Sequence, residues 1–241
     1  AVTMHVFGSM IFIFTGYIAS CGRISRNNFL ILAVFVFVSL ISGRSILILS
    51  VALGFLINIF VAVKYYRFSI KELFTGLFVL FSLGFVMLSV LYYYELNFLS
   101  IINPVLQKVA GGDVERSREF VLLMEGVNRN YAFGSGHGVG VDYIASELYP
   151  WRYEIVWVAL LYRVGFLGFL VYALPLVLTL IIGGHRLLKG VLSKDEIFIF
   201  SGFVAALVAS NTNPYIEGFV FQWMYILPII YCIARNKRKG E

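Results

Sequence analysis

Ile155-Val-Trp-Val-Ala-Leu-Leu-Tyr-Arg163-Val-Gly165-Phe-Leu-Gly168-Phe-Leu-Val-Tyr-Ala-Leu-Pro175-Leu-Val-Leu-Thr-Leu-Ile-Ile182 is an apolar block with one charged residue. It exceeds the roughly 20 residues that carry a helix across a bilayer, so its first part lies at the outer surface or the helix tilts. Gly165, Gly168 and Pro175 are natural places for close packing or a bend. Arg163 faces protein rather than lipid, because a lone cation at membrane depth needs a partner.

Further apolar blocks flank this one. The expected spans are 4–20, 29–42, 46–63, 74–94, 155–182, 197–210 and 219–234, seven in all, with a long polar interval at 95–154 between the fourth and the fifth. Hydrophobic residues make up 60% of the 241 and charged residues 13%. The mean hydropathy is +0.88, outside the soluble class. Apolar runs of this length between clustered charges read as an all-α polytopic bundle rather than the alternating short strands of a barrel. A retinal-type seven-helix protein would need a lysine in its last span, and 219–234 has none.

The net charge of +6 sits mostly in short loops, where it reports orientation and not affinity for nucleic acid. Arg23 and Arg26, Lys64, Arg67 and Lys71, Arg186, Lys189 and Lys194, and Arg235, Lys237, Arg238 and Lys239 fall on one side. The opposite short loops hold only Arg44. The twelve-charge side is therefore expected in the cytoplasm and the 95–154 loop outside. Cys21 and Cys232 lie at cytoplasmic ends, where a disulfide would not persist. The chain enters apolar sequence at once after Ala1 with no basic segment before it, which reads as the carboxy-terminal part of a longer polytopic protein.

The external loop holds the candidate chemistry. Arg44, in the tight turn Ser42-Gly-Arg-Ser45, either snorkels to lipid headgroups or grips phosphate bidentately at the edge of the pocket. In Asp113-Val-Glu-Arg116-Ser-Arg118-Glu-Phe-Val-Leu-Leu-Met-Glu125, a short amphipathic helix is expected, with Phe120, Val121, Leu123 and Met124 on its apolar face. Arg116 and Arg118 either pair with Asp113, Glu115 or Glu119 or clamp an anion; Arg129 and Arg152 add to the same cationic set. Alternate glycines in Gly134-Ser-Gly136-His137-Gly138 permit positive φ, so successive N–H groups could form an anion nest. His137 is a loop hydrogen-bonder or a base; no second His or Cys stands at metal-ligand spacing, and no metal is expected. Glu154 opens the fifth span as a helix cap or as a general base facing the pocket.

Ser-Gly-Arg44-Ser before a span, a long loop with Arg-x-Arg and then Gly-x-Gly-x-Gly, and Tyr-Glu154 leading into Leu-Leu-Tyr-Arg-Val-Gly165-Phe-Leu-Gly168 together resemble the bacterial O-antigen polymerase and O-antigen ligase superfamily. The resemblance covers roughly residues 29–182 and implies a GT-C-like multi-helix membrane fold with a large periplasmic loop, in the bacterial inner membrane. It implies glycan transfer from undecaprenyl diphosphate without cofactor or metal. The acceptor would be another lipid-linked repeat unit for a polymerase, the favoured reading, or lipid A core for a ligase; a chain-length regulator would be a partner. Arg44 and either Arg116 or Arg118 would match the family's arginines. Glu154 stands where many relatives carry a histidine, so either carboxylate replaces imidazole, the favoured reading with Glu154 as general base, or His137 has taken that role. A transporter or channel is the reading from another class, with Asn58, Arg163 and Gln222 as the polar residues within its spans.

Overall fold

The computed structural model describes residues 2–22, 26–41, 45–65, 114–130, 133–143, 152–211 and 213–238. Arg44 and the span expected at 74–94 lie outside the described residues, as do residues 95–113 of the loop. Among the described residues the chain is all-helical, with no strand. The helices are α1 (Val2–Ser20), α2 (Arg26–Ile41), α3 (Ser45–Tyr65), α4 (Val114–Arg129), α5 (Val156–Lys189), α6 (Lys194–Ala209) and α7 (Trp223–Arg238). Two short 3₁₀ turns, Tyr215–Glu217 and Phe219–Phe221, join α6 to α7.

Among the described residues two segments are long and apolar enough to cross a membrane, Ile46–Tyr65 and Val156–Lys189, whereas Gly8–Ser20, Leu30–Ser39 and Phe219–Arg235 are shorter apolar helices. The expectation of seven full spans is therefore met only in part. The first part of the expected last span is not α-helical: Phe219–Phe221 turns as 3₁₀ and α7 begins at Trp223. The bundle wears its apolar residues outside as well as inside. On α5, Leu167, Val171 and Ile181 are exposed, as are Phe37 on α2, Val63 on α3 and Ile230 on α7.

α1 is the central staff. It runs alongside α3 in the same direction, since Thr15 Oγ1 donates to the Ser50 carbonyl (2.8 Å) and Asn58 Nδ2 to the Ile18 carbonyl (2.8 Å). Polar side chains that satisfy backbone across an apolar interface hold helices together where burial alone is a weak force. α6 runs antiparallel to α1 at close range: a Cβ on Gly16 would stand 2.6 Å from the Phe198 carbonyl oxygen, so only glycine lets the two backbones approach so closely. The main core gathers Ile11, Phe12, Leu47, Phe203, Tyr215, Phe221 and Met224.

These pairings give the bundle two chemically distinct ends. At one, the Leu192 amide donates to Tyr65 Oη (3.1 Å). There Glu196, 4% exposed, is shared by Arg186 (2.6 Å) and Arg235, which binds α5, α6 and α7 together. Ser193 and Glu196 also form a reciprocal capping box that starts α6. Lys64 packs near Gly190 at this same end, so basic clusters that are distant in sequence converge here. At the other end stand α4, the glycine loop and the 213–222 turn.

Candidate functional site

α4 stacks on the first two turns of α5 through Leu123 and Val127, which meet Tyr153, Ala159 and Tyr162. The expected amphipathic helix thus exists and lies against the bundle, but its inward stripe is Glu119, Leu123 and Val127, while Phe120 and Val121 are exposed. Glu119, 1% exposed, is the residue that sequence reasoning missed as a functional group. Its Oε1 accepts the Ile155 N–H (2.8 Å) at the start of α5. Burial pushes its carboxyl above the ordinary range, and the neighbouring Glu154 charge adds to this. The Ile155 and Glu154 amides and the Arg116 guanidinium work against it. A carboxylate four residues before Leu123, in line with it along the helix, was the available signal.

Glu154 does not cap its own helix. Ile155 is the cap position and its aliphatic side chain can cap nothing; its own amide is taken by Glu119 from α4. Glu154 Oε2 instead accepts from Arg116 Nε at 2.7 Å, in a half-exposed ion pair. Neither alternative expected for Arg116 named this contact: a carboxylate partner comes from 38 residues away. Arg118 is exposed, Arg129 stands 3.8 Å from Glu125 one turn back, and Arg152 is half-buried.

The glycine loop docks on a break in α5. Gly165 (φ 70°, ψ −178°) leaves the helical region, which interrupts the amide-to-carbonyl ladder of the helix. Into the gap the Ser135 amide donates to the Tyr162 carbonyl (2.8 Å) and the Gly136 amide to the Arg163 carbonyl (2.9 Å). Gly134 (φ 91°) lies so near that a Cβ would sit 2.6 Å from both the Arg163 oxygen and the Gly165 nitrogen. Two of the amides that an anion nest would use are therefore spent on helix carbonyls. Further along, Tyr153 Oη accepts the Val141 N–H (2.7 Å) and Tyr162 Oη donates to the Gly140 carbonyl (3.3 Å). Tyr153 is fully buried, which raises its phenol above the usual range.

Beside the break lies a cavity of about 470 Å³, a size suited to a small ligand. Val156, Trp157, Leu160 and Arg163 form its α5 wall, Ile216, Glu217 and Gln222 face them from the turn before α7, and His137 and Gly138 stand at its edge. Arg163 is 8% exposed; its Nη1 is 2.5 Å from Glu217 Oε1 and its guanidinium lies 5.7 Å from the centre of the Tyr153 ring. A planar cation over an aromatic face, with a carboxylate at its tip, is held in orientation as well as charge. Of the site residues expected from sequence, His137 and Gly138 line this cavity; Glu154, Arg116, Arg118 and Arg129 do not. Among the described residues no group of three His, Cys, Asp or Glu side chains is placed to hold a metal.

Comparison of the chain with protein families, with curated proteins and with solved structures finds no match.

Proposed function

We propose that the protein is a membrane glycosyltransferase of the bacterial inner membrane, with its loop end facing the periplasm. It transfers a glycan from undecaprenyl diphosphate to the hydroxyl of another lipid-linked repeat unit, in the manner of an O-antigen polymerase. The observation that carries the reading is the cavity at the loop end of a bundle with an apolar exterior, bordered by the imidazole of His137 and by the buried Arg163. In the reaction the acceptor oxygen bonds to the anomeric carbon, the bond from that carbon to the diphosphate oxygen breaks, and the acceptor proton passes to a base. Imidazole is the side chain suited to exchanging a proton near neutrality, and His137 borders the cavity, whereas Glu154 is turned to Arg116. Negative charge grows on the leaving diphosphate, and the guanidiniums of Arg44, Arg116 and Arg118 would stabilise it.

A translocation route would need polar side chains facing a lumen. Asn58 instead donates to α1 carbonyls and Arg163 is held by Glu217, which favours the enzymatic reading. The test is reconstitution of the full chain in liposomes with undecaprenyl-diphosphate-linked repeat units, followed by electrophoresis of the products. A ladder of lengths is expected from the wild type and from Glu154→Gln, and none from His137→Ala. A full ladder from His137→Ala would refute the assignment of the base. Cells lacking the protein separate the two family activities: single-repeat surface glycan indicates a polymerase, and none attached a ligase.

A further inference from the structure

We infer that the loop-end cavity seats a neutral sugar ring, read through its hydroxyls by Glu217, Arg163 and Gln222 and stacked on Trp157; this builds on the glycan-transfer reading and assigns the acceptor's place in it. Charge decides against the obvious alternative. Arg163 alone would draw a phosphate, but the Glu217 carboxylate 2.5 Å from it lines the same cavity. Together the pair offers no net charge, and a diphosphate approaching the guanidinium would meet a carboxylate at the same point. A neutral ligand meets no such repulsion.

The donor and acceptor inventory points the same way. A guanidinium only donates, a carboxylate only accepts, and the Gln222 amide does both. A sugar hydroxyl donates and accepts at once, so neighbouring hydroxyls satisfy this mixed set where an anion satisfies only half of it. Trp157 and Tyr172 supply flat apolar walls, and the electron-rich face of an aromatic ring suits the C–H side of a pyranose. The pair is also anchored from outside the cavity, by the Tyr153 ring beneath Arg163 and by the glycine loop bound to the Arg163 carbonyl. It therefore keeps its orientation before a ligand arrives. His137 borders the same cavity, which puts a base beside a bound hydroxyl.

The experiment uses the full chain in lipid nanodiscs and follows tryptophan fluorescence, with Trp157→Phe as the control that isolates the cavity signal. The probes are neutral hexose and N-acetylhexosamine disaccharides and, separately, inorganic diphosphate. Saturable quenching by at least one disaccharide, absent in Trp157→Phe, and no quenching by diphosphate are expected. Glu217→Gln and Gln222→Leu should each weaken disaccharide binding by roughly tenfold, as expected for a lost partner to a desolvated polar group. Gln222→Leu leaves the ion pair intact, so its result stands even where Glu217→Gln folds poorly. Saturation by diphosphate with no response to any disaccharide overturns the assignment. If disaccharides fail while His137→Ala still abolishes the polymer ladder, the sugar seat is wrong and the transfer reading survives. If disaccharides bind and the wild type yields no ladder, the seat stands and the transfer reading falls.

Discussion

Replacing Gly134 by alanine tests the docking of the glycine loop on the α5 break, and Gly136→Ala supplies an internal control. Both residues have φ near +90°, so alanine at either carries backbone strain of about 1–3 kcal/mol. They differ in surroundings. A Cβ on Gly136 meets nothing within 4 Å, whereas one on Gly134 would stand 2.6 Å from two backbone atoms of α5, neither able to swing aside as a side chain does. The loop must then lift, which weakens the Ser135 and Gly136 amide bonds to the Tyr162 and Arg163 carbonyls (2.8 and 2.9 Å). At about 0.5–1.5 kcal/mol for each bond, Gly134→Ala should cost roughly 1–3 kcal/mol more than Gly136→Ala. For a chain of this size that is a difference in unfolding midpoint on the order of 2–12 °C. The assay is the thermal midpoint of the full chain in detergent micelles at one scan rate, with limited proteolysis to locate cleavage in 133–143. Equal midpoints for the two variants, or cleavage no faster in Gly134→Ala, would refute the docking.

Two further expectations concern buried carboxylates. Burial raises the Glu119 carboxyl in the folded protein, so its contribution to stability is fully present below the ordinary glutamate value of about 4.3 and is lost as pH rises through the folded value. The unfolding midpoint of the wild type, measured relative to Glu119→Gln, should therefore fall as pH rises from about 4 towards neutrality; a difference that is flat with pH would contradict this. At the opposite end, Glu196→Gln removes the shared carboxylate of Arg186 and Arg235, and a broken buried pair costs about 3–5 kcal/mol. Glu154→Gln, whose pair with Arg116 is half-exposed, should cost no more than about 1 kcal/mol, and denaturant midpoints that reverse this order would contradict the burial argument.

Fold class was legible because it depends on composition and run length. Apolar blocks as long as 155–182 leave helices as the form that satisfies every backbone group within one segment. α1, α2, α3, α5 and α6 fall close to the expected intervals, and the bend expected at Gly165, Gly168 or Pro175 occurs at Gly165. The convergence of Lys64, Arg186 and Arg235 at one end also follows the charge pattern of the short loops.

The membership of the site was another matter. Glu119 and Glu154 are both acidic residues beside arginines; the helical spacing puts the first on the Leu123 face, but nothing local says that it meets the Ile155 amide while the second pairs with Arg116. Arg163 could be placed against protein from its isolation, but its partner Glu217 lies 54 residues away across a turn. The glycine run read as a nest because alternate glycines permit positive φ, and its amides went to the carbonyls that the Gly165 break exposes. Periodicity, hydropathy and loop charge are properties of a segment, so most of the described helices, the bend and the basic end could be read from the chain alone. Which carboxylate meets which guanidinium, and where a cavity opens, depends on distances between segments remote in the chain; only the packing of α4, α5 and the 213–222 turn decided those.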